Sequence, residues 1–172
     1  MSLSMYQSSV PVFTQMLTNL SAILDKAAAH AAAKKWGPSV LADLRLIPDM
    51  LPFSRQIQNA SDHAKRGAAR LAGVEAPVWE DNEKTIDEFK ARLAKTLDYL
   101  RGFKPAQIDG AEDRIIEWAA GPRVRKFKGR DYLFTYAFPH FFFHVTTAYA
   151  LLREAGVDIG KSDYMGPLPE LK

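Results

Sequence analysis

The chain has 172 residues, of which 47% are hydrophobic and 25% charged, with a formal net charge of +3. That supports one domain (residues 1–172) with a substantial core, and argues against a strongly polyanionic partner. There is no cysteine, which excludes disulfide frameworks, thiolate nucleophiles and cysteine-ligated zinc, and accords with a reducing cytoplasm.

The N-terminal residues Met1 to Gln7 lack the basic-then-apolar pattern of a signal peptide, so a cytoplasmic location is expected. A first helix follows from apolar or small residues at Tyr6, Val10, Phe13, Leu17, Leu20, Leu24, Ala27 and Ala31. Their spacing alternates between four and three, the seam of a helix packed in a bundle. Pro11 marks the first turn or a kink, and His30, among alanines at the helix end, is expected to face solvent.

A second seam runs through Phe53, Ile57, Ala60, Ala64, Gly67 and Leu71, and a third through Ile86, Phe89, Leu93, Leu97 and Leu100. Thr85 and Glu88 have the spacing of a capping box for the third helix. The fourth helix is expected from about 131 to 155. Gly37, Gly73, Gly102 and Gly156 each follow a helical segment, as left-handed C-terminal glycines do.

The links are long for a simple up-and-down arrangement. Residues 37–50 contain a short helical turn around Ser39 to Leu44. The link 73–84 is long enough to run back along a helix and permit a parallel neighbour. Between the third and fourth helices, Ile115 to Trp118 and Val124 to Phe127 flank Ala120-Gly121-Pro122 and predict a small β-hairpin. Its cations Arg123, Arg125, Lys126, Lys128 and Arg130 read as a solvated face rather than a nucleic-acid surface. Glu112 and Asp113 before it read as turn caps rather than an acid pair.

Tyr132 to Leu152 contains no Asp, Glu, Lys or Arg and is long enough to span a bilayer, which takes about 20 residues. Pro139, two histidines, three threonines and three tyrosines within it argue instead for the buried centre of a helical protein, with no membrane span. Helical spacing places His140 and His144 on one face, within a seam of Leu133, Ala137, His140, His144, Thr147 and Leu151. Such a pair supplies two of the three or more ligands that a first-row divalent ion needs. The competing expectation is two core histidines satisfied by carbonyls or hydroxyls, with Tyr136, Thr146, Thr147 and Tyr149 within reach.

The chain resembles the DinB/YfiT-like superfamily of candidate metalloenzymes, in one of its branches of unknown function. The resemblance rests on Ser2-Leu3-Ser4-Met5-Tyr6, on Pro48-Asp49-Met50, and on Gln56, Gln58, Asp62, Ala64-Lys65 and Ala69-Arg70-Leu71-Ala72-Gly73. It continues through Gly110-Ala111-Glu112-Asp113-Arg114, through Phe141 to Tyr149, and through Gly160-Lys161-Ser162-Asp163-Tyr164. It implies an all-α four-helix bundle in an up-down-down-up arrangement, and homodimers. It also implies a nickel or zinc ion held by three histidines, one on the second helix and an HxxxH pair on the fourth, serving transferases or hydrolases.

His140 and His144 match that pair, and His63, the only histidine on the second helix, is the expected third ligand. Gln56, Asp62 and Asp49 are weaker alternatives. No Gly-rich phosphate loop, Ser-His-Asp pattern or kinase signature occurs, so no cofactor beyond a divalent metal is expected. Two functional classes remain: a metal-dependent enzyme acting on a small molecule, or a non-catalytic dimeric binding module with structural histidines. A hydrophobic face around Phe141 and Tyr149 is expected to pair with a second copy.

Overall fold

The structure is a computed structural model and describes residues 4–168. Ser2 and Leu3 of the N-terminal resemblance, and the ends of the expected domain, lie outside them. Four long helices share one hydrophobic core, in chain order α1 (Val10–Ala33), α2 (Phe53–Ala72), α3 (Ile86–Arg101) and, after shorter elements, α6 (Phe138–Glu154). The shorter elements are α4 (Pro105–Ile108), the antiparallel strands β1 (Ile115–Ala120) and β2 (Arg123–Lys128), α5 (Gly129–Asp131) and, at the end, α7 (Lys161–Met165).

The seams expected from sequence are the buried ones. Phe13, Leu17, Leu20 and Leu24 of α1, Phe53, Ile57, Ala60, Ala64 and Leu71 of α2, and Phe89, Leu93 and Leu100 of α3 are fully covered. Phe53 packs edge-on against Phe89, and Ser61 shares a 2.8 Å hydrogen bond with Thr96, so α2 and α3 run in the same direction. Gln56 meets His144 and Arg70 meets Tyr132, so α2 and the last long helix run in opposite directions. The long second link makes the parallel pair possible.

Buried charge ties that link down. The Arg92 guanidinium bonds Asp62 (3.1 Å), Asp81 (2.9 Å) and Glu83 (2.8 Å), and Asp62 also takes Lys65 (2.8 Å) and Arg66 (2.7 Å). Burial opposes ionisation of Asp62, but these three cations outweigh it and hold its carboxyl below the usual range.

The helix ends follow expectation in part. Thr85 and Glu88 do form a capping box. Gly73 and Gly156 are left-handed, at φ +70° and +84°. Gly102 is not, at φ −67°, because its N–H instead tightens the last turn onto the Tyr99 carbonyl. At the end of α1 the left-handed residue is Lys35 (φ +56°), which lets the Trp36 N–H reach back to the Ala31 carbonyl over 2.9 Å. Residues 38–43 form turns, with no helix there.

The fourth helical segment is not uniform. Its stretch Tyr132–Ala137 is a π-helix, leading directly into α6. Pro139 has no N–H and its ring presses on the carbonyl four residues back, and a widened turn just before it relieves both problems. Among the described residues, no helix is long and apolar enough to cross a membrane.

His30 is half-buried rather than fully solvent-facing. Its ring packs edge-on against Trp36 at 5.2 Å and beside Gly156, and its buried Nε2 has no hydrogen-bond partner. The expected pairing face also changes, because Phe141 is fully buried and Tyr149 packs on Tyr164. The exposed aromatics of this segment are Phe134 and Phe143.

Candidate functional site

Two helices bring three imidazoles together. His63 projects from the middle of α2, and its ring centroid lies 4.8 Å from that of His140 and 5.6 Å from that of His144. All three histidines singled out from sequence therefore meet. His144 is buried, while His63 and His140 are half-covered.

The hydrogen bonds fix two of the rings. The Gln56 amide donates from Nε2 to the Leu51 carbonyl (2.9 Å), which leaves its Oε1 to accept from His144 Nδ1 (2.7 Å). His140 Nδ1 donates to the backbone carbonyl of Tyr136 over 2.8 Å. Both residues of the HxxxH pair thus carry their proton on Nδ1 and leave the Nε2 lone pair free. An Nδ1–H held by an oxygen is how metal-ligating histidines are commonly oriented.

Of the residues expected to satisfy the histidines, Tyr136 does so through its backbone carbonyl, and the threonine hydroxyls do not. Thr147 donates to the Phe143 carbonyl, and Thr146 pairs with Tyr164. Gln56, considered as a ligand, instead positions His144; Asp62 belongs to the charge network; Asp49 is exposed in the first link. Asp113 bonds Lys128 at 2.8 Å and forms no pair with Glu112 for acid chemistry.

The site keeps His63 and His144 neutral. Burial first, then the neighbouring His140, His144 and Arg66, push the pKa of His63 down to about 3, with Asp62 opposing. Burial, His140 and Arg55 push His144 down to about 4. Neutral imidazole is the form that coordinates a metal or accepts a proton.

The donor chemistry suits a divalent ion, but the ring geometry stops short of it. His63 lies at 16° to the plane of His144 and 34° to that of His140, close to stacked. Lone pairs lie in the ring planes, so near-parallel rings do not aim at one point. Accordingly, among the described residues no group of three or more His, Asp or Glu is arranged to hold a metal ion. Convergence requires a turn of the His63 ring, whose nitrogens make no hydrogen bond among the described residues.

One side of the cluster opens to a cavity of about 370 Å³ lined by Pro139, His140, Phe143 and His144. The other side is walled by the hairpin, whose Trp118 and Phe127 stack on each other and pack at 5.0 and 5.8 Å against Tyr136. Tyr136 lies 4.2 Å from His140. A larger cavity of about 500 Å³ near Trp79 and Lys95 contains no histidine, and its Arg92 and Glu83 are paired with each other.

Residues 5–165 match the family described as Domain of unknown function (DUF1993), so the chain belongs to that family. A solved crystal structure described as a DinB family member protein from Shewanella denitrificans is 40% identical to it. The alignment covers 97% of this chain and 94% of that one, with a TM-score of 0.89. No curated protein matches the chain.

Proposed function

We propose that this DinB-like protein is a divalent-metal-binding four-helix bundle, arranged up-down-down-up, whose His63, His140 and His144 hold nickel or zinc for a transferase or hydrolase reaction on a small molecule. The observation that carries this reading is the pairing of Nδ1 in His140 and His144 with fixed oxygens, which leaves two free Nε2 atoms beside a third neutral imidazole. A bound divalent ion supplies Lewis acidity that activates a water or a thiol. The chain's own contribution is to hold two ligands in one tautomer through Gln56 and Tyr136, and to line the open approach to them with the apolar Pro139 and Phe143. The test is elemental analysis of protein purified without an affinity tag. About one nickel or zinc per chain supports the reading. Less than ~0.1 per chain, unchanged after incubation with either ion, rejects it.

A second reading is a non-catalytic binding module, assembled as a homodimer, in which the histidines serve packing. It is favoured by the near-parallel stacking of His63 on His144. Phe134 and Phe143 are the exposed aromatics available for pairing two copies.

A further inference from the structure

The histidine cluster lies one aromatic ring away from a cation that no acid neutralises. Strand alternation places Arg125 on the same face of β2 as Phe127, opposite Trp118 in the antiparallel register. On that face Phe127 packs on the helices, while Arg125 is exposed to solvent. The Arg125 guanidinium carbon lies 5.4 Å from the centroid of the Tyr136 ring, and that ring touches His140.

The other cations nearby are committed. Lys126 and Lys128, on the opposite face of β2, pair with Glu117 and Asp113. Arg66 pairs with Asp62, and Arg70 lies 4.0 Å over Trp118 while donating to the Tyr132 hydroxyl. Arg125 has no carboxylate partner among the described residues. Contact with an aromatic face orients a guanidinium without neutralising its charge.

We infer that Arg125 is a specificity-determining residue for the histidine site, anchoring the carboxylate of a small, flat organic acid whose body lies across Tyr136 towards His140. A guanidinium matches a carboxylate through two parallel hydrogen bonds, which a lysine does not reproduce. The inference rests on the histidine cluster being the binding centre, and not on a metal being bound.

The test titrates chelator-treated protein with sodium benzoate and with its neutral counterpart benzamide, following the imidazole proton signals of His63 and His140 by NMR. Benzoate is expected to shift both signals saturably. Arg125→Gln is expected to weaken benzoate about tenfold, the effect of losing one charge-assisted pair, and benzamide to bind wild type about as weakly. Lys126→Gln, which removes the same charge from the opposite face, is expected to stay within about twofold of wild type. No response of these signals to benzoate in wild type overturns the inference. So does equal binding by Arg125→Gln, or an equal loss in Lys126→Gln, which reduces the effect to general charge. Nickel uptake by wild type, measured in parallel, reports separately on the metal reading, so the two can fail independently.

Discussion

The Gln56 amide and the His144 imidazole form a fixed pair between two antiparallel helices: Gln56 Oε1 accepts from His144 Nδ1 at 2.7 Å, while the Leu51 carbonyl holds the other end of the amide. Both residues are buried, so neither has water as a substitute. Gln56→Leu is therefore expected to leave a buried N–H unpaired and cost about 1–3 kcal/mol in denaturant unfolding. If the cluster holds metal, the same change should weaken nickel binding about 10- to 100-fold. Gln56→Glu, which keeps an acceptor, should recover the greater part of that affinity. Metal binding unchanged in Gln56→Leu would mean that the orientation of His144 serves packing alone.

The histidine pair separates the two functional readings more directly. With metal bound, His140→Ala and His144→Ala should each abolish the rise in melting temperature that nickel or zinc gives wild type, because a ligand that binds only the folded state stabilises it. Without metal, His144→Ala should still cost about 1–3 kcal/mol, since it empties a buried position and strands the Gln56 carbonyl. Melting curves with and without added ion distinguish the cases. Identical responses to metal in wild type and His144→Ala would remove the site.

The helices and hairpin were legible because each had a periodic signal and a stop. The α2 and α3 seams are buried where spacing placed them, and Thr85 caps α3 through Glu88. The His140–His144 neighbourhood was equally legible, being four residues apart on one helix. What was not legible depended on other elements. The accommodation of Pro139 by a π-turn, the role of Gln56 and the aim of Arg125 at Tyr136 each require knowing which helix or strand lies opposite. His30 looked exposed because its alanine neighbours carry no burial signal, whereas its cover comes from Trp36 and Gly156.

Acid should weaken the metal-free fold over a definite window. His63 and His144 have folded pKa values of about 3 and about 4, while an unfolded imidazole titrates near 6.5. Between those values the unfolded chain binds more protons, so stability is complete above pH ~6.5 and falls as the pH drops. At pH 5 the cost is on the order of 1–2 kcal/mol per imidazole. The lowered carboxyl of Asp62 acts only below its ordinary range and does not contribute in this window. Urea midpoints of chelated protein at pH 7 and 5 check this, and equal midpoints contradict the burial of neutral imidazoles.

Arg92 should matter for stability far more than surface ion pairs do. It is buried and bonds Asp62, Asp81, Glu83, the Glu80 carbonyl and the Ser61 hydroxyl. Arg92→Ala leaves Glu83 in a covered site with no cation, only the Gln58 amide, and Asp62 with Lys65 and Arg66 alone, and is expected to cost about 3–5 kcal/mol. The exposed pair of Arg101 with Asp98 should be dispensable, with Arg101→Ala leaving the midpoint unchanged. Denaturant titration of the two variants side by side measures the contrast. A small effect of Arg92→Ala would mean that the second link is fastened by apolar contacts instead.

Gly67→Ala reverses an ordinary rule. In an exposed helix interior this change gains about 1 kcal/mol. Here the added Cβ would lie 2.9 Å from Phe13 Cζ and 3.0 Å from its Cε2. The Phe13 ring cannot retreat, being fully buried and held edge-on by Phe138 at 5.3 Å and Phe141 at 4.9 Å. The helix must give instead, so the expected result is a loss of about 1–3 kcal/mol. Gly67 is also one turn beyond His63, so a displaced α2 should separate His63 from His140 and weaken whatever the cluster binds. Phe13→Leu combined with Gly67→Ala should recover part of the loss, because the two side chains compete for one space. A stabilised Gly67→Ala, or strict additivity in the pair, would show that α1 and α2 have room that this packing does not allow.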